Sequence, residues 1–230
     1  EPEVFGNPNL NMTNITNLDL RYDIFPRSGE VLAVSAFYKS FTDPIVSTYR
    51  QAGNPQFTWT NTEDGELYGA EIEVKKNLDF ITPALDEFNV SANVAYINSG
   101  VTIDEEECAD SRDVDPNFEC ERQFAGQSPV VANVNLSYQN ADKGWDAILA
   151  YFDDRLTQVG AVGAPDIFEK GRGQLDFSLS KQVNGFKTTF RVRNLLDPDY
   201  RQFSDFQGQE YVFRNFRRGV QFSVGISYSM

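Results

Sequence analysis

Apolar and polar residues alternate along most of this chain with a period of two. The last stretch shows it most plainly. Val220, Phe222, Val224, Ile226, Tyr228 and Met230 fall on one side, and Gln221, Ser223, Gly225, Ser227 and Ser229 on the other. Successive side chains of an extended backbone point to opposite faces, so strict alternation predicts a β-strand. The stretch is about as long as the roughly 9 to 11 residues that a tilted strand needs to cross a bilayer. Eight earlier segments share the pattern: 14–25, 30–41, 68–80, 88–103, 128–139, 145–159, 174–179 and 186–193. The connections between them alternate as well. Those after the first, third, fifth and seventh strands are short or moderate, Pro26-Arg27-Ser28-Gly29 and Asn184-Gly185 among them, whereas those after the second, fourth, sixth and eighth are long.

Each strand carries one apolar face, and nothing in the chain predicts a helix or a second apolar layer to cover it. Long strands with short turns at one end and long loops at the other are the pattern of an outer-membrane barrel. The fold class predicted is therefore all-β, an antiparallel up-and-down transmembrane β-barrel. The soluble alternative is a β-sandwich in which the same alternation means apolar inside and polar outside. Nine strands do not close an antiparallel barrel, and bacterial single-chain barrels have even numbers. The chain thus reads as part of a larger barrel.

Composition narrows the function. The net charge of −14 excludes the basic stripe that nucleic-acid binding requires. The chain has no His, which removes the commonest general base and metal ligand, and Ser or Cys nucleophiles are left without that partner. Gly160–Gly173 has no Lys-Ser/Thr ending and so is not a phosphate-binding loop. No run approaches the roughly 18 apolar residues of a helical span, and a mean hydropathy of −0.44 is uninformative for a barrel in which only alternate residues meet lipid. Glu1–Pro8 has neither the charged nor the apolar region of a secretory leader.

Arg193-Asn194-Leu195-Leu196-Asp197-Pro198-Asp199-Tyr200, followed by Arg217-Arg218-Gly219 and the final strand, resembles the carboxyl-terminal signature of TonB-dependent outer-membrane receptors. Upstream, Gly6-Asn7-Pro8-Asn9-Leu10, Phe37-Tyr38-Lys39 with Asp43-Pro44-Ile45, Tyr68-Gly69-Ala70-Glu71-Ile72-Glu73 and Gly126-Gln127-Ser128-Pro129 fall where such receptors would place them. The resemblance implies a barrel of about 22 strands, plugged by an amino-terminal domain. Residues 1–230 would be a partial receptor barrel domain holding about the last nine strands, without the plug. It further implies a transporter, not an enzyme, in the bacterial outer membrane. Such a receptor takes up a scarce, bulky small-molecule nutrient, most often a ferric siderophore; a glycan, a peptide or a cobalamin fits the residues no worse. The implied partners are outer-membrane lipid, the receptor's own plug, the TonB complex acting through that plug, and the barrel-assembly machinery. Met230 departs from the aromatic residue with which the family usually ends. The remaining alternatives are a passive porin-like barrel and a soluble extracellular sandwich module.

Candidate sites lie in the long connections. Asp104–Arg122 holds nine carboxylates and two arginines, a net of −7, and Cys108 and Cys120 bracket its centre. In a loop facing the oxidising exterior these two predict a disulfide. Asp113 and Asp115 are candidate calcium ligands, since hard cations take several oxygens, although the spacing is not that of an EF-hand and a solvated, stapled acidic loop accounts for it too. Tyr49, Trp59, Phe203 and Tyr211 are aromatic candidates for ligand stacking, or else girdle residues at the membrane interface. Arg172 and Arg214 are candidates for an anionic ligand. Arg191, Arg193, Glu71, Glu73 and Lys75 fall on the polar face, where a cross-strand charge ladder would contact the plug.

Overall fold

The structure is a computed structural model that describes residues 3–50, 56–103, 105–114, 116, 119–160 and 164–228. In chain order the strands are β1 (Glu3–Val4), β2 (Asn14–Ile24), β3 (Val31–Thr42), β4 (Ile45–Arg50), β5 (Gln56–Asn61), β6 (Gly65–Asn77) and β7 (Phe88–Thr102). Helix α1 (Glu105–Val114) precedes β8 (Glu121–Arg122), β9 (Val130–Gln139), β10 (Lys143–Phe152), β11 (Arg155–Gly160) and β12 (Ile167–Glu169). The chain continues with β13 (Arg172–Val183), β14 (Phe186–Arg193), β15 (Asp199–Phe206), β16 (Gln209–Arg217) and β17 (Gln221–Tyr228).

Nine of these strands form the wall. They run β2-β3-β6-β7-β9-β10-β13-β14-β17, each antiparallel to its neighbour, with β8 attached to β7. These are the nine segments that alternation predicts, with three adjustments. The third ends at Asn77 and gives way to 3-10 turns at Leu78–Phe80 and Pro83–Leu85. The sixth breaks at Asp153-Asp154 into β10 and β11, because the Asp154 carboxylate accepts the Gly171 N–H at 2.7 Å and an ion pair from Lys170. The last is described as far as Tyr228; Met230 lies outside the described residues. Asn184 and Gly185 both adopt positive φ, 50° and 82°, the conformation of the two-residue hairpin predicted there.

Register separates the two faces of the wall. Leu20, Ala36, Ala70 and Tyr96 lie in one cross-strand row on the apolar face, and Val34, Ile72, Val94 and Ala132 in another. The apolar face is open: Leu20 is 74% exposed. Rings bound it. Near the short turns Phe88, Tyr138 and Trp145 are neighbours in register, with centroids 4.9 and 6.4 Å apart, and Phe186 packs on Tyr228 at 4.7 Å. At the other end stand Tyr38, Tyr68, Tyr96 and Tyr151. From Phe88 to Tyr96 the strand climbs about 20 Å at a rise of roughly 3.3 Å per residue and a tilt of roughly 40°.

The opposite face is polar. Arg21 pairs with Asp23 at 2.9 Å and with Glu73 at 2.7 Å, closing over Ala33. Asn93 donates to Glu71 at 3.1 Å. Gly69 is needed here because a Cβ would meet the Tyr96 carbonyl at 2.4 Å and the Phe37 ring at 2.6 Å. Glu71, Glu73, Lys75, Arg191 and Arg193 all sit at the register positions of this face, as the alternation requires.

Candidate functional site

Three of the four long connections are not loops but β-hairpins that continue the wall. Asp43, at φ 53°, and Pro44 bend β3 into β4, and the Asp43 carbonyl accepts from Asn61 Nδ2 at 2.7 Å and Thr13 Oγ1 at 3.0 Å. Hairpin β11–β12 rises from β10 and β13, and hairpin β15–β16 rises from β14 and β17. The last junction is made by the Asn194–Asp197 segment. Asn194, at φ 59°, donates through Nδ2 to the Gly219 carbonyl at 2.9 Å, and its own N–H reaches Asp176 Oδ1 at 2.9 Å. Asp197 Oδ1 accepts the Gly219 N–H at 2.9 Å, with Gly219 at φ 79°, a conformation that glycine adopts without steric cost.

Above the wall the hairpins join one another. Val159 and Gly160 of β11 pair in parallel with Thr48 and Tyr49 of β4, and Phe168 and Glu169 of β12 pair with Phe203 and Gln202 of β15. The result is a second sheet, ordered β1-β5-β4-β11-β12-β15-β16. Its core is apolar: Leu156 is fully buried and clusters with Val46 and Val159, against which Ala125 and Phe168 pack. Burial of such a side chain stabilises by roughly 1.5 to 3 kcal/mol.

The fourth connection is stapled. Cys108 on α1 is bonded to Cys120, and the next residues run back along β7, where Val101 pairs with Arg122. The Arg122 side chain, 8% exposed, donates to Glu107 at 2.9 and 3.0 Å and to Asp166 of the neighbouring hairpin at 3.1 Å. Burial pushes the Asp166 carboxyl above the ordinary carboxylate range, against the opposing pull of Arg122 and the Gly160 N–H. Glu169 is buried too, but hydrogen bonds from Arg172 and Arg155 outweigh the burial and hold it below that range. A cavity of about 480 Å³ lies between α1, β8 and the two later hairpins, with Leu156, Pro165 and Phe168 beside Glu121, Asp166 and Asp205.

The candidate ligand residues divide into two groups. Tyr49, Arg172 and Phe203 take part in internal packing. The Tyr49 hydroxyl donates to the Pro165 carbonyl at 3.1 Å, and burial, then Asp166, raises its phenol. Arg172 lies between the rings of Phe152 and Tyr200 at 4.8 and 5.0 Å while bonding Glu169, and Phe203 stacks on Phe168 at 5.8 Å. Trp59, Tyr211 and Arg214 are exposed on the outer sheet. Asp113 stands on the exposed side of α1 and Asp115 lies outside the described residues; among the described residues no three His, Cys, Asp or Glu side chains gather as a metal site.

The family of TonB dependent receptor-like β-barrels matches residues 3–195. The chain belongs to this family. Solved TonB-dependent receptor folds overlay it closely. "Copper transporter OprC" matches with a TM-score of 0.66 at 17% identity, covering 97% of this chain and 32% of that one. The ferric citrate transporter FecA in its unliganded form gives 0.62 at 13% identity, covering 93% and 31%. A mutant of the ferric enterobactin receptor PfeA from Pseudomonas aeruginosa, in complex with enterobactin, gives 0.61 at 14% identity, covering 97% and 32%. Identities this low carry the fold alone. No curated protein matches the sequence. The chain spans about a third of the length of the solved structures it matches.

Membership assigns the faces of the wall. TonB-dependent receptor barrels lie in the bacterial outer membrane, so the apolar face meets lipid, the aromatic rows stand at its two interfaces, and the polar face turns to the lumen. The stapled segment and the three hairpins are then extracellular. Arg122, Asp166, Arg155 and Glu169, the charged centre of this region, are not apparent in the sequence. Arg122 is one of two cations in an acidic run, and Asp166 follows a glycine-rich stretch without periodicity; the one available signal is that Arg122 stands two residues from a cysteine.

Proposed function

We propose that this chain is the carboxyl-terminal barrel portion of a receptor that takes up a scarce, bulky nutrient across the outer membrane, driven by the TonB complex through an amino-terminal plug. The match to the receptor-like barrel family over residues 3–195 carries the reading, and the division of the nine-stranded wall into a lipid face and a polar face supports it. In this reading outer-membrane lipid surrounds the wall, the polar ladder around Arg21, Glu71 and Glu73 faces the plug, and the barrel-assembly machinery inserts the whole. A ferric siderophore is the proposed cargo, on the strength of ferric citrate and ferric enterobactin receptors among the similar structures; one similar structure is a copper transporter. The exposed Trp59, Tyr211 and Arg214 are proposed to meet the ligand first.

The test is accumulation of radiolabelled ferric siderophores by cells that carry or lack the gene encoding this chain, with and without a protonophore. Uptake should disappear in the deletion and collapse when the proton gradient is discharged. Uptake that needs the gene but ignores the protonophore would instead describe a passive porin.

A further inference from the structure

Lys143 of β10 and Lys181 of β13 stand directly opposite one another in the wall. Among the described residues they are the only wall pair in register with a charge on both sides, and the two charges are alike. Like charges directly opposite destabilise a sheet, so the pair favours an anion that lies between them. Both side chains are exposed, and parity puts both on the lipid face. Lys143 is two residues from Trp145 and Lys181 two from Leu179, which oppose each other one row nearer the membrane centre. The Lys143 ammonium lies 5.8 Å from the centre of the Tyr138 ring, and that ring belongs to the periplasmic row of Phe88, Tyr138, Trp145 and Phe177. Two residues at a rise of roughly 3.3 Å each and a tilt of roughly 40° put the lysines about 5 Å beyond Trp145, at the level of the lipid headgroups.

The backbone beneath the pair is fixed. Asn140 Oδ1 accepts the N–H groups of Asp142 and Lys143 at 3.1 Å each, and the Gln182 N–H reaches the Asp142 carbonyl at 2.6 Å. Elsewhere Lys76 and Lys170 have carboxylate partners, Glu30 and Asp154. Glu87, which bonds the Tyr138 hydroxyl, and Asp142 in the turn form an ion pair with neither Lys143 nor Lys181.

We infer that Lys143 and Lys181 form a binding site for the phosphate of an anionic phospholipid in the periplasmic leaflet of the outer membrane. Lysine stems lie along apolar surface while their ammonium groups reach the headgroup layer, where each acts as a point charge for phosphate. Leu179 and Phe186, both exposed, border the pair and give an acyl chain apolar surface to lie on. A zwitterionic headgroup carries its own cation to the same phosphate, so the site selects a headgroup without one. The charge is not a general property of this end of the barrel, because Lys187 on the neighbouring β14 turns to the lumen beside Asp146 and Ser178. The inference uses the place of the wall in the membrane and not the uptake reading.

The experiment is amine acylation of the whole receptor, purified from the outer membrane of its own cells and placed in nanodiscs of phosphatidylcholine alone or mixed with phosphatidylglycerol. Mass spectrometry then reads the labelling rate of each lysine. Phosphatidylglycerol should slow labelling of Lys143 and Lys181 about fivefold, while Lys187 keeps its rate. In Lys181→Gln, with folding checked by the heat-modifiable band, the protection of Lys143 should fall to about twofold. Undiminished protection there would overturn the shared site; if the variant loses the band, the wild-type comparison decides alone. Unchanged labelling of the pair would overturn the inference, and so would equal slowing of all three lysines, which is the effect of bilayer charge without a site. Equal protection by inorganic phosphate added to the phosphatidylcholine discs would make a free anion the ligand and overturn the lipid assignment.

Discussion

Asn194→Ala tests how the wall hands over to the last extracellular hairpin. The substitution has two separable effects. It removes the 2.9 Å bond from Nδ2 to the Gly219 carbonyl, a net loss of about 1 kcal/mol. It also places alanine at φ 59°, where the left-handed conformation costs a residue with a Cβ roughly 1 to 2 kcal/mol. Together they amount to about 2.5 kcal/mol, or local opening on the order of a hundredfold more frequent at 1.4 kcal/mol per decade. Asn194→Gly loses the same bond but escapes the left-handed penalty, and its extra backbone entropy adds about 0.5 kcal/mol, so opening should rise only about tenfold. The assay is exchange of the Leu195, Asp197 and Gly219 amides, which bond the Leu175 carbonyl, the Asn194 carbonyl and Asp197 Oδ1. Equal exchange in the two variants would refute the conformational part, and unchanged exchange in both would show that these bonds do not hold the junction.

Val94→Arg, at the middle of the lipid face, should cost about 2 to 4 kcal/mol and reduce the heat-modifiable folded band on gels, whereas Asn93→Arg, one residue away on the lumenal face, should leave it intact. Leu156→Ala should open a cavity in the extracellular core at a cost of about 3 kcal/mol, speeding proteolysis of hairpins β4–β5 and β11–β12 without moving the barrel's gel shift. The buried acids respond to pH with opposite signs. The depressed Glu169 contributes stability that is present above the ordinary carboxylate range and lost as pH falls through its lowered value, while the raised Asp166 favours the folded hairpins at low pH and loses that contribution as pH rises through its elevated value. Asp166→Asn should therefore steepen the loss of hairpin protection on acidification from neutral pH, measured by exchange of 155–160 corrected for intrinsic rate.

The wall was legible because two solvents impose its pattern. Every wall strand faces lipid on one side and water on the other, so parity alone places Leu20 and Val94 outward and Arg21 and Asn93 inward. Above the membrane parity fails for physical reasons. In β11, Leu156, Val159 and Gly160 are all buried, since partners cover both sides of that strand. In β15, a register shift between Gln202 and Phe203 puts two consecutive residues inside. Helix α1 has no apolar stripe; its acidic opening and Arg112 in the last turn suit the helix dipole, but these are also the features of a solvated loop. The cysteine pair was readable from its compartment. The partners of Arg122 were not, because Asp166 is 44 residues away in sequence.

The parallel contact between Thr48 and Val159 also constrains the order in which the molecule can be made. Each wall strand pairs with the next wall strand along the chain, so the wall grows by stepwise addition of neighbours. The outer sheet cannot grow that way: β4 and β11 come together only after β6, β7, β9 and β10 have been laid between them, and contacts so distant along the chain form late. Until then the edges of these hairpins are unpaired and adhesive. The outer sheet is thus the last part to set, assembled on the far side of the membrane after the wall has crossed it, and its completion marks a barrel whose middle strands are all in register.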